Sequence, residues 1–161
     1  MARLPLPDTP GDEVTRVWSI NPAMGYTTAT FSNKVYEKST LPVNERELAR
    51  MRIAEINGCA ICQSTRSTTM AGLDDSEERY ANVSHWREVD LYSARERLAI
   101  ECAELFALDH RLMTQGFFDR LREEFSDSEI LDLLVCISAF LANGRLVTVL
   151  GVTQDCLIEL A

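Results

Sequence analysis

Positive charge is scarce in this chain. Lys and Arg number 16 against 25 Asp and Glu in 161 residues, giving a net charge of −9 and a pI near 4.7. A phosphate backbone calls for clustered cations, so this balance argues against nucleic acid as a partner. It argues equally against docking on anionic membrane surfaces. Long apolar runs are also lacking. The longest, Leu133 to Ala142 with Ser138 interrupting, is about half of the ~20 residues that cross a bilayer. The first ten residues hold Pro5, Pro7 and Pro10 and no apolar stretch of about 7–15 residues, so no secretory signal is expected. Histidine is nearly absent, with only His85 and His110. Period-2 runs of Val, Ile and Thr are missing, which leaves no candidate strands. No repeat and no low-complexity segment interrupts the chain.

What is present is an ordinary globular composition, 46% hydrophobic. The length fits one domain with a core, at roughly 100–200 residues per domain. A cytoplasmic all-α domain over residues 1–161 is expected, with an irregular leader over 1–11 and seven or eight helices. A short helix is expected to start near Asp12. Asn21-Pro22 reads as an N-cap with proline at the first helical position. That helix runs to about Lys38, with Met24, Phe31 and Val35 on one side. Asn44 is the expected N-cap of the next helix, which ends at Asn57-Gly58. Another helix is expected from near Cys59 to about Ala71, then a polar, acidic stretch to Asp90 with short helical pieces at most. Ser93 and Ser126 each open a capping box, with Glu96 and Glu129 three residues on. A helix over Thr114 to Phe125 lies between them. Asn143-Gly144 is read as the break that ends the helix from Ile130 to Leu141.

The five cysteines are an odd number and cannot all pair within one chain. Cys102, Cys136 and Cys156 sit singly in apolar stretches and read as small buried hydrophobes. Cys59 and Cys62 form a C-x-x-C behind Asn57-Gly58, at a helix start. First-turn N–H groups and the helix dipole there stabilise a thiolate, the reactive species. A second thiol one turn on can resolve a mixed disulfide or a sulfenic acid. Two other readings stand beside redox chemistry. Half of a zinc site would need two further ligands, and no second C-x-x-C or paired histidine supplies them. An inert buried thiol pair is the other. No metal and no cofactor is expected.

Two charged neighbours bear on the choice. Arg66 follows Cys62 by four residues and shares its face if the helix continues. Its charge is permanent, so it can stabilise a thiolate but cannot act as a base. Glu47 lines up with Met51 and Ala54 on an otherwise apolar stripe. If Asn57-Gly58 folds the chain into a helical hairpin, Glu47 and Arg66 fall at similar heights, and a line Glu47–Arg66–Cys62 becomes possible. Otherwise Glu47 is a first-turn acid with its head in water and Arg66 lies on a solvated face. His85, His110, Met51 and Met70 read as structural, and the run Asp74 to Glu78 as a solvated loop or helix start.

The segment Glu47-Leu-Ala-Arg-Met-Arg-Ile-Ala-Glu-Ile-Asn-Gly-Cys-Ala-Ile-Cys62 resembles the core of the AhpD-like alkylhydroperoxidases, in the carboxymuconolactone decarboxylase superfamily. Their acid likewise stands twelve residues before the first cysteine. The run Arg95 to Ala99, Phe125-Ser-Asp-Ser-Glu-Ile, and Asn143-Gly144-Arg145-Leu146 are also similar, so the resemblance covers about residues 15–152. It implies an all-helical fold with the C-x-x-C opening a central helix of a hairpin. It implies trimers, hexamers or dimers of one chain, for which surplus apolar faces at Phe117-Phe118 and Leu146 to Val152 offer support. It implies reduction of hydroperoxides, or disulfide exchange, by Cys59 and Cys62, with Glu47 in a proton relay and an unidentified thiol as electron donor. The family's two relay histidines are replaced by Ile61 and Arg66. The superfamily's true decarboxylases lack a C-x-x-C, so decarboxylation is not implied. Two function classes follow: a thiol peroxidase or disulfide reductase served by Cys59, Cys62, Glu47 and Arg66, or a redox-sensing or small-ligand-binding oligomer with little turnover.

Overall fold

The computed structural model describes residues 2–67 and 76–153. Among them the regular structure is eight α-helices and two short 3-10 turns. The helices are α1 (Glu13–Trp18), α2 (Pro22–Lys38), α3 (Val43–Asn57), α4 (Ala60–Ser64), α5 (Ser76–Ala81), α6 (Ala94–Leu108), α7 (Gln115–Glu124) and α8 (Asp127–Leu150). The turns are Val83–His85 and His110–Leu112.

Local chemistry sets most boundaries. The Asp12 side chain accepts from the Thr15 N–H at the start of α1. Pro22 opens α2. Both capping boxes are formed: Ser93 with Glu96 on α6, and Ser126 with Glu129 on α8. Gly58 ends α3 at φ 62°, a left-handed conformation that a Cβ would strain, and Cys59 N–H returns to Ala54 O at 3.0 Å. The chain thus turns sharply just where the C-x-x-C begins.

Three boundaries differ from the sequence expectation. Helix α3 starts at Val43, so Asn44 is inside it and Pro42, with its fixed φ, takes the capping position. Helix α4 stops at Ser64, because Thr65 turns to an extended φ −73°, ψ 137°. The expected continuation to Ala71 therefore ends early, and Met70, Asp74 and Cys156 lie outside the described residues. Asn143-Gly144 does not break α8, which runs unbroken for 24 residues. A glycine inside a helix costs ~1 kcal/mol against alanine. Here close packing offsets that cost: a Cβ on Gly144 would stand 2.9 Å from Asn57 Nδ2 and 3.4 Å from Cys62 Sγ.

Helix α3 is the hub. It packs against α6 on one side and α8 on another, while α2 lies along α8. Leu48, Ile53, Ile100, Leu133 and Ile137 are fully enclosed. Phe117 and Leu121 of α7 close one end of this core, so Phe117 is interior rather than a spare outer face. The outer faces keep apolar residues elsewhere: Met24 (65% exposed) and Phe31 on α2, and Leu131 (64%) and Val135 on α8. By length and composition α8 could cross a membrane; in this fold it packs on α2, α3 and α6.

Candidate active site

Cys59 is the N-cap of α4, and its sulfur accepts the Cys62 N–H at 3.2 Å. The two cysteines are joined by a disulfide, with Cα atoms 5.3 Å apart. Their exposure differs. Cys59 is 2% exposed and packs with Val17, Trp18, Ile61 and Val147. Cys62 is half-buried and lines a cavity of about 510 Å³. The cavity walls are largely apolar: Val14 and Trp18 of α1, Ile53 and Ala54 of α3, Ile61 of α4, Phe140 and Val147 of α8. Arg50, Tyr36, Glu37 and Asn143 add polar groups.

Gly144 brings α8 onto the cysteine pair. The amide of Asn57, the last residue of α3, ties the two together: Nδ2 donates to Leu141 O at 3.2 Å and Oδ1 accepts from Arg145 Nε at 3.1 Å. The Asn-Gly before the first cysteine and the Asn-Gly on α8 therefore meet.

Glu47 is 0% exposed, so its head is not in water. Its Oε2 accepts from Arg50 Nε at 2.9 Å and from the Tyr80 hydroxyl at 3.1 Å. Its Oε1 is buried with no hydrogen-bond partner among the described residues. Arg50, one turn on, is itself buried. Its Nη1 donates to Cys62 O at 2.6 Å and its Nη2 to Thr65 O at 2.9 Å. Burial works against the Arg50 charge, but Glu47 foremost, with Tyr36 and Tyr80, outweighs it, so Arg50 stays ionised. Burial, then Glu47, pushes the Tyr80 hydroxyl up to about 12, and the Ser67 N–H reaches that hydroxyl.

The line Glu47–Arg66–Cys62 is not formed. With α4 ended at Ser64, Arg66 leaves the helical face of Cys62. Its Nε instead pairs with Glu77 Oε1 at 2.7 Å, and its guanidinium stacks 4.6 Å over the Tyr80 ring. Arg66 thus braces the segment after the cysteine pair against α5, and it is Arg50 that contacts both Glu47 and the Cys62 carbonyl. Sequence reasoning missed Arg50, Tyr80 and Tyr36. Arg50 had a signal, since it sits at i+3 from Glu47 on one helix. The tyrosines arrive from distant segments and had none.

The remaining residues are peripheral to this cluster. Met51 is core. His85 is exposed and lies 3.7 Å from Glu88; neither it nor His110 lines the cavity. Cys102 and Cys136 are buried free thiols, each pushed up to about 12 by burial. Among the described residues no group of three His, Cys, Asp or Glu is arranged to hold a metal ion.

The sequence model of the carboxymuconolactone decarboxylase family matches residues 22–105, which include α2, α3, the redox pair and most of α6. An uncharacterised Bacillus subtilis protein, YdfG, is 26% identical over 119 residues, 73% of this chain and 81% of its own. The fold is similar to that of an Agrobacterium tumefaciens protein of unknown function, provisionally described as an AhpD antioxidant defence protein. The TM-score is 0.71 at 26% identity, covering 88% of this chain and 97% of that one. An uncharacterised peroxidase-related protein from Silicibacter shares the fold at a TM-score of 0.75 and 18% identity, over 89% of this chain and 76% of its own.

Proposed function

The chain belongs to the carboxymuconolactone decarboxylase family, and from that premise we propose that it is a thiol oxidoreductase of the AhpD-like type, reducing hydroperoxides through Cys59 and Cys62. The observation that carries this reading is the asymmetry of the pair: one sulfur lines an apolar cavity and the other is sealed behind it. Cys62 is the attacking thiol. Its thiolate displaces an alcohol or water from the peroxide and becomes a sulfenic acid; Cys59 then attacks that sulfur, releases water and closes the disulfide. An external thiol reopens the disulfide. Arg50 supplies a permanent cation beside Cys62 and favours the thiolate, the role a relay histidine would share with proton transfer. Glu47 keeps Arg50 in place, and its Oε1 is left able to accept one further hydrogen bond. Arg66 acts on the site only by bracing Tyr80.

The reading extends to a homo-oligomer in the cytoplasm. The exposed Met24, Phe31, Leu131 and Val135 support an assembly of dimers, trimers or hexamers. A reducing compartment suits a pair that must be reopened after each turnover.

The test is hydroperoxide-dependent consumption of a thiol reductant by the wild type, Cys59→Ser and Cys62→Ser. Turnover is expected only in the wild type. Wild-type turnover no higher than that of the two serine variants, with an oxidation-dependent change of mass in light scattering, would instead support a redox-sensing assembly.

A further inference from the structure

The peroxide reading leaves one proton without a source. When a thiolate opens an O–O bond, the departing oxygen carries a charge, and a strongly basic alkoxide leaves slowly unless it is protonated in the transition state. The residues at the two relay positions, Ile61 and Arg66, cannot give that proton. Ile61 has none to give, and Arg66 is engaged with Glu77 and Tyr80. Arg50 stays ionised and gives up no proton; it donates to Glu47 Oε2 and to two carbonyls.

Tyr36 of α2 lines the same cavity as Cys62. Its ring is fixed from two sides, 5.7 Å from the Phe140 ring and 5.1 Å under the Arg46 guanidinium. No hydrogen bond among the described residues engages its hydroxyl, so that O–H is free to meet a bound molecule. The ionisable groups around it are Arg46, Glu47 and Arg50 of α3 and Cys136 of α8. Burial, opposed by Arg50, holds the phenol well above its usual value of ~10. It therefore carries its proton at every working pH, yet a phenol is a stronger acid than water at ~15.7, the conjugate acid of a departing hydroxide, so the transfer runs downhill.

We propose that Tyr36 is the general acid of this site, protonating the oxygen that leaves the hydroperoxide. This rests on the peroxide reading above. The Cys62 thiolate attacks the terminal oxygen of ROOH. The S–O bond forms as the O–O bond breaks, sulfur is oxidised to Cys62–S–OH, and the reduced oxygen departs as RO⁻ with the Tyr36 proton, giving ROH. The Tyr36 phenolate then takes back from solvent the proton released when Cys62 ionised. Cys59–SH attacks Cys62–S–OH, and the disulfide forms with loss of water.

The experiment compares prereduced wild type and Tyr36→Phe in single-turnover oxidation. Two oxidants are used: tert-butyl hydroperoxide, which leaves as a basic alkoxide, and peracetic acid, which leaves as a carboxylate and needs no proton. Tyr36→Phe is expected to slow the first by ~100-fold, at the low end of general-acid effects, and the second less than ~2-fold. Near-UV circular dichroism checks that the ring is replaced without loss of packing. Equal slowing of both reactions, or of neither, overturns the proposal while leaving the redox pair intact. No oxidation of the wild type by either oxidant overturns the peroxide reading, and the role of Tyr36 with it.

Discussion

Replacing Gly144 with alanine separates two opposed effects at the seat of the redox pair. Helix propensity alone favours the substitution by ~1 kcal/mol, because Gly144 is interior to α8. Packing opposes it. The new Cβ would lie 2.9 Å from Asn57 Nδ2, a distance real Cβ atoms do not tolerate, and 3.4 Å from Cys62 Sγ. The Asn57 amide cannot step aside freely, since Leu141 O and Arg145 Nε hold it at both ends. Overpacking costs ~1–3 kcal/mol, and giving up one of those hydrogen bonds another ~0.5–1.5 kcal/mol. The net expectation is a destabilisation of about 2 kcal/mol, or a fall in Tm of about 4–8 °C for a chain of this size. Urea unfolding of the oxidised protein reads it directly. Gly116→Ala on α7 is the control, because its Cβ meets only Thr114 Oγ1, at 3.8 Å, and should be neutral or stabilising. If Gly144→Ala gains stability as the control does, the argument that α8 is pressed against the C-x-x-C is refuted.

Further expectations concern charge and titration. Arg50→Ala leaves the buried Glu47 carboxylate unpaired and should cost ~3–5 kcal/mol, whereas Arg66→Ala, whose partner Glu77 is largely exposed, should cost under ~1 kcal/mol. Denaturant titration of both variants would detect a reversed order. In the reduced, folded protein at pH 8, alkylation followed by mass spectrometry should label Cys62 first and spare Cys102 and Cys136, whose thiols burial pushes up to about 12; fast labelling of either refutes their burial. Glu129 is lowered to about 2 by the Ser126 backbone N–H, the Ser126 hydroxyl and Arg95. A depressed folded value means its contribution is complete above the unfolded value of ~4.3 and lost as pH falls towards 2. Glu129→Gln should therefore flatten the stability profile between those limits, and an unchanged acid limb would speak against the cap.

The parts of this fold that announce themselves in sequence are those made by neighbours in sequence. The Ser93 and Ser126 capping boxes, Pro22 at the start of α2 and Gly58 behind the hub helix are short-range devices, and each lies where its residue type predicts. The errors have two sources, local stops and contacts from across the molecule. Asn143-Gly144 looks like a helix breaker until Asn57 and Cys62 arrive from across the molecule and require a residue without a side chain. Arg66 looks like the cation of the site on an unbroken helix, but Thr65 ends that helix. Glu47 is legible as a buried acid from its apolar stripe, yet its true partner is Arg50, three residues away. Tyr36 and Tyr80 approach the site only through tertiary packing, and no spacing in the chain marks them.

The central claim is that Cys62 meets the oxidant and Cys59 resolves it. Trapping the sulfenic acid with a dimedone-type nucleophile after one equivalent of hydroperoxide tests this directly. Cys59→Ser, which cannot close the disulfide, should carry the adduct on Cys62 in near-stoichiometric amount, and Cys62→Ser should carry none on Cys59. An adduct on Cys59 in Cys62→Ser, with none on Cys62 in Cys59→Ser, would contradict the account.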